Sequence, residues 1–198
     1  MEKLLVATNN QFKLKEIRMI LGDVFEIVSL KDRGINVDIP ETGDTFYENA
    51  LIKAKTIFEM TGQLVLAEDS GLEVLELNNL PGVRSARYAG EPCNDSLNNI
   101  KLLNAMSACK NRTAKYTSAI VIYISNAQFV SFSGATHGMI ATAPNGSNGF
   151  GYDPLFLSAD FSYKKTFAQL SDEEKNSISH RSRALKQFLD YWVPLNTK

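Results

Sequence analysis

The chain has 198 residues and a mass of 22.0 kDa, enough for one large domain or two small lobes, and 44% of its residues are hydrophobic. Its formal net charge is −1 and its pI is about 6.1, which argues against a basic domain that binds DNA or RNA by neutralising many phosphates. Its longest obvious apolar run, residues 119–124, is far too short for a membrane helix, so we expect neither a nucleic-acid nor a membrane partner.

The amino terminus and the cysteine content indicate a cytoplasmic protein. The charged residues Glu2 and Lys3 lead directly into Leu4–Ala7, which is too short for the apolar part of a signal peptide. Cys93 and Cys109 are too widely spaced for a CxxC zinc site, and the chain has only two histidines. Any metal is therefore expected to be a hard cation held by carboxylates.

The first half of the chain alternates predicted strands with predicted helices. Hydrophobic periodicity predicts strands at 3–7, 25–30, 64–67 and 72–77, and helices at 11–22 and 45–61. Gly22 and Gly62 are suitable C-caps for the two helices. The polar run 68–71 is interpreted as a turn, which places Glu68 and Asp69 at the end of a buried strand.

The second half continues the alternation and adds a hairpin. We predict a helix at 95–108 whose inward residues are Leu97, Ile100, Leu103 and Met106. Strands are predicted at 115–124 and 128–141. They are followed by a glycine-rich loop at 144–151, a further apolar segment at 152–157 and a helix from Asp172 onward. This pattern indicates an α/β protein with a mixed sheet. Because no linker is long or polar enough to be a boundary, we expect residues 1–198 to form a single domain whose two lobes share one sheet.

Residues 8–13 lie where the first predicted strand passes into the first predicted helix. A helix N-terminus presents N–H groups and the positive end of the helix dipole, which favour an anion. Thr8 and Asn10 add polar side chains there, and Lys13 adds a positive charge in the first turn. The alternative is that Asn9 or Asn10 only caps the helix and that Lys13 is solvated.

Glu68 and Asp69 are the most informative pair of residues. They are adjacent acids at the predicted end of an apolar strand, and ligands of open α/β sheets bind beyond the carboxyl ends of parallel strands. Two neighbouring carboxylates raise each other's pKa unless a cation neutralises them, and a divalent ion that also binds a polyphosphate would do so. The alternative is a turn whose acidic side chains lie in water.

The helix predicted at 45–61 offers two further candidates. Its start, Thr45–Glu48, fits the S/T-x-x-E capping box, which accounts for Glu48 without any catalytic role. Lys53 could reach a phosphate, although a lysine on a helix is usually solvated. Glu41 lies on the preceding loop, where ligand-binding groups are often found.

An aromatic residue between glycines marks the segment 148–154. Glycines let the backbone approach a flat ligand, and Phe150 offers it a stacking face. The alternative is that Phe150 and Tyr152 fill the core beside a turn.

Positively charged and polar residues are concentrated in 175–181. A lone histidine on a helix is most often structural, but His180 is accompanied by Lys175, Arg181 and several serines, which together favour a polar recognition surface.

Taken together and in this order, these segments resemble the HAM1/RdgB family of inosine triphosphate pyrophosphatases. The resemblance spans Leu4 to Leu185 and depends on the segments ATNNQFK, ETGDTFYENALIKAK, AEDSGLEV, LPGVRSARYAG, GFGYDPLF and KTFAQLSDEEKNSISHR. It implies an elongated α/β fold with a long twisted mixed sheet, flanking helices and a cleft between two lobes. It also implies a homodimer.

The resemblance assigns a role to each candidate residue. It implies that Asp69 is the general base and that Glu41, Glu68 and Asp69 lie near one Mg²⁺ ion per active site. The substrate-binding residues that it implies are Thr8, Asn9, Asn10, Gln11, Phe12 and Lys13 for the triphosphate, Lys53 for a further phosphate contact, Ser70 for the substrate, Phe150, Gly151, Tyr152 and Asp153 for the purine, and Lys175, His180 and Arg181 for the edge of the base.

The departures from the family pattern are small. Asn9 stands where many members have Gly, Glu68 where many have Asp, and Gln169 where Glu is frequent. None of them removes a group that the mechanism needs. The assignment of Glu41 rather than Glu48 to the metal is the part of the pattern that the sequence leaves open.

The activity implied by the resemblance is hydrolysis of the non-canonical purine nucleotides ITP, dITP and XTP to the monophosphate and pyrophosphate. Two alternatives stay open. A Maf-like pyrophosphatase would act on other modified nucleotides, but it would not carry the Ser-His-Arg segment at 179–181. A non-catalytic purine nucleotide-binding module would need no base that acts on water.

Overall fold

The computed structural model describes residues 1–196, in which strands and helices alternate along most of the chain. The strands are β1 (Glu2–Val6), β2 (Phe25–Ser29), β3 (Val65–Val74), β4 (Leu80–Pro81), β5 (Thr113–Ser125), β6 (Gln128–Ile140) and β7 (Phe156–Ser158). The helices are α1 (Gln11–Leu21), α2 (Phe46–Thr61), α3 (Asp95–Ala105), α4 (Asp172–Ile178) and α5 (His180–Asn196). None of these helices has both the length and the apolar character that crossing a bilayer requires.

Within the described residues, the seven strands form one mixed sheet. Its order is β2-β1-β3-β5-β6-β7, and β4 pairs with β3. Strand β1 runs parallel to β2 and to β3, whereas β4 is antiparallel to β3 and β7 is antiparallel to β6. The predicted α/β class with a mixed sheet is therefore confirmed.

The chain divides into two compact units. The first unit contains Met1–Asp69, Ser118–Gly134 and the residues from Arg181 onward, and the second contains Ser70–Thr117 and Ala135–His180. The division in β3 falls directly after Asp69. Because β3, β5 and β6 each contribute residues to both units, neither unit is a continuous stretch of chain.

In the first unit, the strands have helices on both faces. Leu4 and Val6 of β1 pack in a core with residues of α1 and α5, whereas Leu5 and Ala7 pack in a second core with residues of α2. This division follows from the strand itself, because successive side chains point to opposite faces of a sheet. The position of a residue in the alternation therefore decides which helix its side chain contacts.

The second unit has an aromatic core of its own. The ring of Tyr116 on β5 lies 4.8 Å from the ring of Phe156 and 5.8 Å from that of Phe167, centroid to centroid. Leu102 and Met106 belong to the same core and attach α3 to it. The second unit is thus held together by apolar and aromatic contacts of its own.

The turn predicted at 68–71 is wrong, because β3 continues without interruption from Val65 to Val74. Glu68 and Asp69 therefore lie within a strand and not at its end. Acidic residues beside Ser and Gly are typical of turns, but here side chains from other segments bind both carboxylates and allow the strand to continue. The strand predicted at 72–77 is likewise part of β3, and residues 75–77 form a 3₁₀ helix.

The inward face predicted for the helix at 95–108 is also partly wrong. Leu97 and Ile100 are 53% and 55% exposed. The helix ends at Ala105 and buries Asn98 together with Leu102. Spacing of apolar residues did not reveal this face, because a polar residue occupies its centre.

The carboxyl-terminal helical region is divided in two. Ser179 has an extended backbone, with φ −66° and ψ 153°, and separates α4 from α5. The single helix predicted from Asp172 is therefore two helices, and His180 and Arg181 begin the second of them.

Candidate active site

Two adjacent residues of β3 direct their carboxylates to different helices. The Glu68 carboxylate is bound by Arg181 of α5, whereas the Asp69 carboxylate is bound by Asn49 of α2. Strand alternation explains this, since α2 and α5 pack on opposite faces of the sheet. The two adjacent acids are therefore each bound by a partner of their own.

Glu68 belongs to a buried network of charges. Its Oε1 accepts a hydrogen bond from Ser118 Oγ at 2.8 Å, and its Oε2 accepts one from Arg181 Nε at 2.8 Å. Arg181 also binds Glu16 of α1, and the ammonium nitrogen of Lys13 lies 3.9 Å from Glu68 Oε2. The positive charges of one lysine and one arginine thus balance the negative charges of two glutamates. Buried charges are tolerated when they are paired in this way.

Asp69 lies in a second group of polar residues on the α2 side. Asn49 Nδ2 donates to its Oδ2 at 3.1 Å, and Lys53 Nζ lies 3.6 Å from its Oδ1. Lys53 Nζ also lies 2.6 Å from Glu41 Oε1, so that one ammonium group contacts two carboxylates. Burial raises the pKa of the Asp69 carboxyl above its ordinary value, against the opposing charges of Lys53 and Lys13, and the nearby charge of Glu41 raises it further.

The structure separates the two glutamates that the sequence left as alternatives. Glu48 completes the capping box of α2: its Oε2 accepts from the N–H groups of Asp44 and Thr45 at 2.8 and 3.0 Å. Glu41 instead interacts with Lys53 and, electrostatically, with Asp69. Glu41 is therefore the glutamate that shares surroundings with Asp69.

The carboxylates of Glu41 and Asp69 fit a hard divalent cation. Magnesium is usually held by one or two carboxylates together with substrate phosphates and water. Within residues 1–196 there is no group of three His, Cys, Asp or Glu side chains arranged to hold a metal ion. A cation at Glu41 and Asp69 would therefore complete its ligands from substrate and water, and Lys53 would have to share the two carboxylates with it.

The N-terminus of α1 is capped by its own sequence. Asn10 Oδ1 accepts from the N–H groups of Phe12 and Lys13 at 2.9 and 3.1 Å, and Thr8 Oγ1 accepts from Asn10 N–H at 3.1 Å. The alternative interpretation of Asn10 as an N-cap is thus correct. Asn9, Asn10, Gln11 and Phe12 are exposed, so that this turn is open to an anion that displaces the cap.

Lys13 differs from the exposed residues around it. It lies in the first turn of α1, and its side chain is mostly buried beside Glu68. Burial lowers the pKa of the Lys13 ammonium from its ordinary value, although the charge of Glu68 acts in the opposite direction. Its charge is therefore directed toward β3 and not into bulk water.

In the second unit, the loop after residue 148 is held by one buried ion pair. Lys175 Nζ lies 2.6 Å from Asp153 Oδ2, and the same oxygen accepts from Phe150 N–H at 2.9 Å. Gly149 has φ +76°, and a Cβ there would lie 2.0 Å from Asp153 Oδ2. Glycine is thus required at 149 both by the backbone conformation and by the approach of the carboxylate.

The two aromatic residues of this loop have different surroundings. Phe150 is half-buried, with Lys175 Nζ 4.8 Å from the centre of its ring. Tyr152 is buried in the aromatic core, and its hydroxyl donates to Ser85 O at 2.8 Å. The interpretation of Tyr152 as a core residue is confirmed for its side chain, whereas Phe150 keeps an accessible ring.

His180 lies inside the second unit and not on an exposed recognition surface. Its ring stacks on that of Tyr116, with centroids 4.7 Å apart and planes 9° apart. Arg181, the next residue, is buried with Glu68 and Glu16 in the first unit. Both side chains are therefore buried, so that a recognition surface formed by these two positions would be an enclosed one.

Residues 4–191 match the Ham1 family. The chain belongs to the Ham1 family. It is 45% identical to the dITP/XTP pyrophosphatase of Clostridium perfringens over 199 residues, covering 96% of this chain and 97% of the relative. It is also 45% identical to the dITP/XTP pyrophosphatase of Porphyromonas gingivalis over 192 residues, covering 96% and 97%.

Solved structures of Ham1 proteins have the same fold. The Ham1 protein of Staphylococcus aureus superposes with a TM-score of 0.88 at 37% identity, covering 98% of this chain and 100% of that one. The HAM1 protein of Coxiella burnetii gives the same TM-score at 38% identity and the same coverage. The resemblance found in the sequence motifs is therefore confirmed.

Some polar partners in this Ham1 family chain were missed by sequence reasoning. Glu16 is one of them: it follows Lys13 by three residues, so that helical spacing could have grouped the two. Asn49 and Lys53 are four residues apart and are predicted to share one polar side of their helix, but the bond from Asn49 to Asp69 is not predicted. Nothing in the sequence links Tyr116 to His180, because their contact depends on tertiary packing. Ser70, the first residue of the second unit, directly follows Asp69 in β3.

Proposed function

We propose that this chain hydrolyses the non-canonical purine nucleotides dITP, XTP and ITP to the nucleoside monophosphate and pyrophosphate. The observation that carries the proposal is the buried Asp69 carboxylate, which is oriented by Asn49 and faces Lys53. Burial raises the pKa of that carboxyl, which makes it a better acceptor for a proton of water. The names of the similar proteins support the same substrate class.

The reaction divides into one proton transfer and one displacement. Asp69 accepts a proton from water as the water oxygen bonds to the α-phosphorus. The bond between the α-phosphorus and the oxygen bridging to the β-phosphorus breaks, and pyrophosphate leaves with the bond's electron pair. We assign Thr8 to Lys13 and Lys53 to the phosphates, since both lysine ammonium groups lie beside acidic residues of this unit and can neutralise charge that develops during the displacement.

Magnesium is the proposed cofactor, with Glu41 and Asp69 as its ligands. When bound, it would neutralise phosphate charge and stabilise the leaving pyrophosphate. The resemblance also places Glu68 near the cation. Its contacts with Arg181 and Ser118 instead favour a role in holding Lys13, and we assign it that role.

The base is proposed to bind in the second unit. Phe150 offers its ring for stacking, and Gly151, Tyr152 and Asp153 continue the same loop. Inosine and xanthine carry a carbonyl at the six-position, where adenine carries an amino group, so that buried donors select the former. Lys175 and His180 are the proposed donors, and Ser70 is a proposed substrate contact. Arg181, which binds Glu68 and Glu16 in the first unit, is a further candidate only through the family resemblance.

The proposed partner is a small-molecule nucleotide, and the proposed assembly is a homodimer that works on the nucleotide pool of the cytoplasm. These assignments rest on the family resemblance. Sedimentation of the purified chain tests the dimer, because a monomer at micromolar concentration contradicts it.

Release of pyrophosphate from purified protein tests the activity. We expect release from dITP, XTP and ITP in the presence of Mg²⁺, and much less from dATP, which lacks the carbonyl at the six-position. Modified pyrimidine nucleotides form a further arm that tests the Maf-like alternative. Binding of dITP without any release of pyrophosphate would instead support a nucleotide-binding module and contradict the proposal.

A further inference from the structure

Helix α3 binds both polar groups of one residue in the loop that carries Phe150. Asp95 Oδ2 accepts a hydrogen bond from Gly151 N–H at 2.7 Å, and Asn99 Nδ2 donates one to Gly151 O at 2.9 Å. Asp95 and Asn99 are four residues apart, so that they project from the same side of the helix. The backbone of Gly151 is thus held at its donor and at its acceptor by one helix.

The helix itself is attached firmly to the second unit. Asn98, which lies between the two residues, accepts from Ala89 N–H at 2.7 Å and donates to Ala86 O at 2.9 Å. Leu102 on the same helix is completely buried in the aromatic core. Helix α3 therefore provides a fixed support for the loop and does not merely follow it.

The side-chain amide of Asn99 faces the Gly151 carbonyl. Its amide orientation is set by the Gly151 carbonyl, which can only accept a hydrogen bond. Among residues 1–196, its Oδ1 is a buried atom without a hydrogen-bond partner.

The residue before Gly151 is held by the buried ion pair. Phe150 N–H is held by Asp153, which Lys175 binds, and Gly151 is the next residue along the chain. Gly151 has φ +62°, a left-handed conformation that favours glycine. Two consecutive residues of the loop are therefore held by hydrogen bonds, Phe150 by Asp153 and Gly151 by α3.

We propose that Asp95 and Asn99 are positioning residues that hold the Phe150 loop in its purine-binding conformation and so set the affinity for the base. This inference rests on the proposed function, in which Phe150 stacks on the purine. It adds two residues of α3 to those that determine how the second unit binds the base. Neither residue is expected to contact the phosphates.

Steady-state kinetics of dITP hydrolysis by the full chain test the inference. Asn99→Asp replaces the donor to Gly151 O by an acceptor, and Asp95→Ala removes the acceptor of Gly151 N–H. We expect each to raise KM about tenfold with kcat changed less than about twofold, since binding of the base and not the displacement is affected. Asp95→Asn keeps an acceptor oxygen and should restore KM to within about twofold of the parent value.

Two controls separate positioning from general damage. Asn104→Ala alters an exposed asparagine on the same helix and should leave KM unchanged. Inorganic triphosphate, used as an inhibitor of dITP hydrolysis, has no base, so that its inhibition constant should be the same in every variant. Asp95 is exposed, and Asp95→Ala therefore tests the inference even where Asn99→Asp fails to fold.

The outcomes distinguish the inference from the proposed function. An unchanged KM in Asp95→Ala would overturn the inference and leave the proposed function standing. The same would follow if Asp95→Ala raised the inhibition constant of inorganic triphosphate as much as it raised the KM for dITP. A parent protein that releases no pyrophosphate from dITP, XTP or ITP would overturn the proposed function and the inference with it.

Discussion

Asn49 and Asp69 are joined by a hydrogen bond of 3.1 Å from the asparagine Nδ2 to the aspartate Oδ2. The other end of the asparagine amide accepts from Gly43 N–H at 2.8 Å, which fixes the orientation of the amide. Asn49 is completely buried, and it therefore connects the loop before α2 to the carboxylate proposed as the general base.

Replacement of Asp69 by Asn should abolish most turnover while leaving substrate binding intact. Asparagine has nearly the same shape and can still accept from Asn49, but it cannot take the proton of water. Since general-base catalysis contributes about 10²–10⁴-fold, kcat for dITP should fall by about that factor. Equilibrium binding of dITP measures the other half of the prediction, and an unchanged kcat would remove Asp69 from its role.

Replacement of Asn49 by Asp should move the acid limb of the kcat/KM profile to higher pH. A second carboxylate beside Asp69 raises the pKa of that group through repulsion of like charges, and the loss of the amide donor acts in the same direction. The base is active when ionised, so that activity should be lost at a higher pH as pH falls. A profile that coincides with that of the parent protein would contradict the role of Asp69 as the titrating group.

Magnesium dependence should respond to Glu41 and not to Glu48. Removal of divalent ions with a chelator should stop pyrophosphate release. Glu41→Gln should raise the Mg²⁺ concentration needed for half-maximal activity about tenfold, since one of two charged ligands is lost. Glu48→Gln is the matched control, because it keeps an acceptor for the capping box of α2 and should leave the Mg²⁺ requirement unchanged.

Replacement of Phe150 by Ala should weaken nucleotide binding through lost stacking, by about 1–3 kcal/mol. Phe150→Tyr keeps the ring and is expected to bind nearly as well. Calorimetric titration of catalytically impaired Asp69→Asn protein, with and without the Phe150 change, measures the difference without turnover. An unchanged affinity in Phe150→Ala would show that the ring does not contact the base.

The stabilising contribution of Asp32 should depend on pH. Ser29 N–H donates to its carboxylate at 2.9 Å and lowers the pKa of the group below 3.8, with Arg18 as a further partner. A depressed folded-state pKa gives stability that is present above the unfolded pKa and is lost as pH falls through the folded value.

Urea denaturation at neutral pH and at about pH 3 measures this contribution. Asp32→Asn should lower the unfolding midpoint at neutral pH, and the difference from the parent protein should shrink in acid. Activity on dITP should not change, because Asp32 has no contact with the residues proposed to bind substrate. Equal differences at the two pH values would contradict the assignment.

Features with local causes were predictable from the sequence. The capping box at Thr45–Glu48 and the N-cap at Asn10 depend on residues within three positions of each other, and both are present. The α/β class follows from alternating strand and helix periods. The buried face of α3 was not predicted correctly, because it includes the polar residue Asn98 and hydrophobic periodicity counts only apolar residues.

Spacing and composition were thus sufficient for the fold class and for the starts of the helices at Gln11 and Phe46, since these depend on near neighbours in the chain. Only tertiary packing decided the partner of each charge. Glu68 and Asp69 are consecutive, yet the alternation of β3 directs one to Arg181, 113 residues away, and the other to Asn49, 20 residues away. The sequence of residues 68–71 is compatible both with a turn and with a buried strand. Contacts from side chains distant in the sequence, which bind the two carboxylates, decide between them.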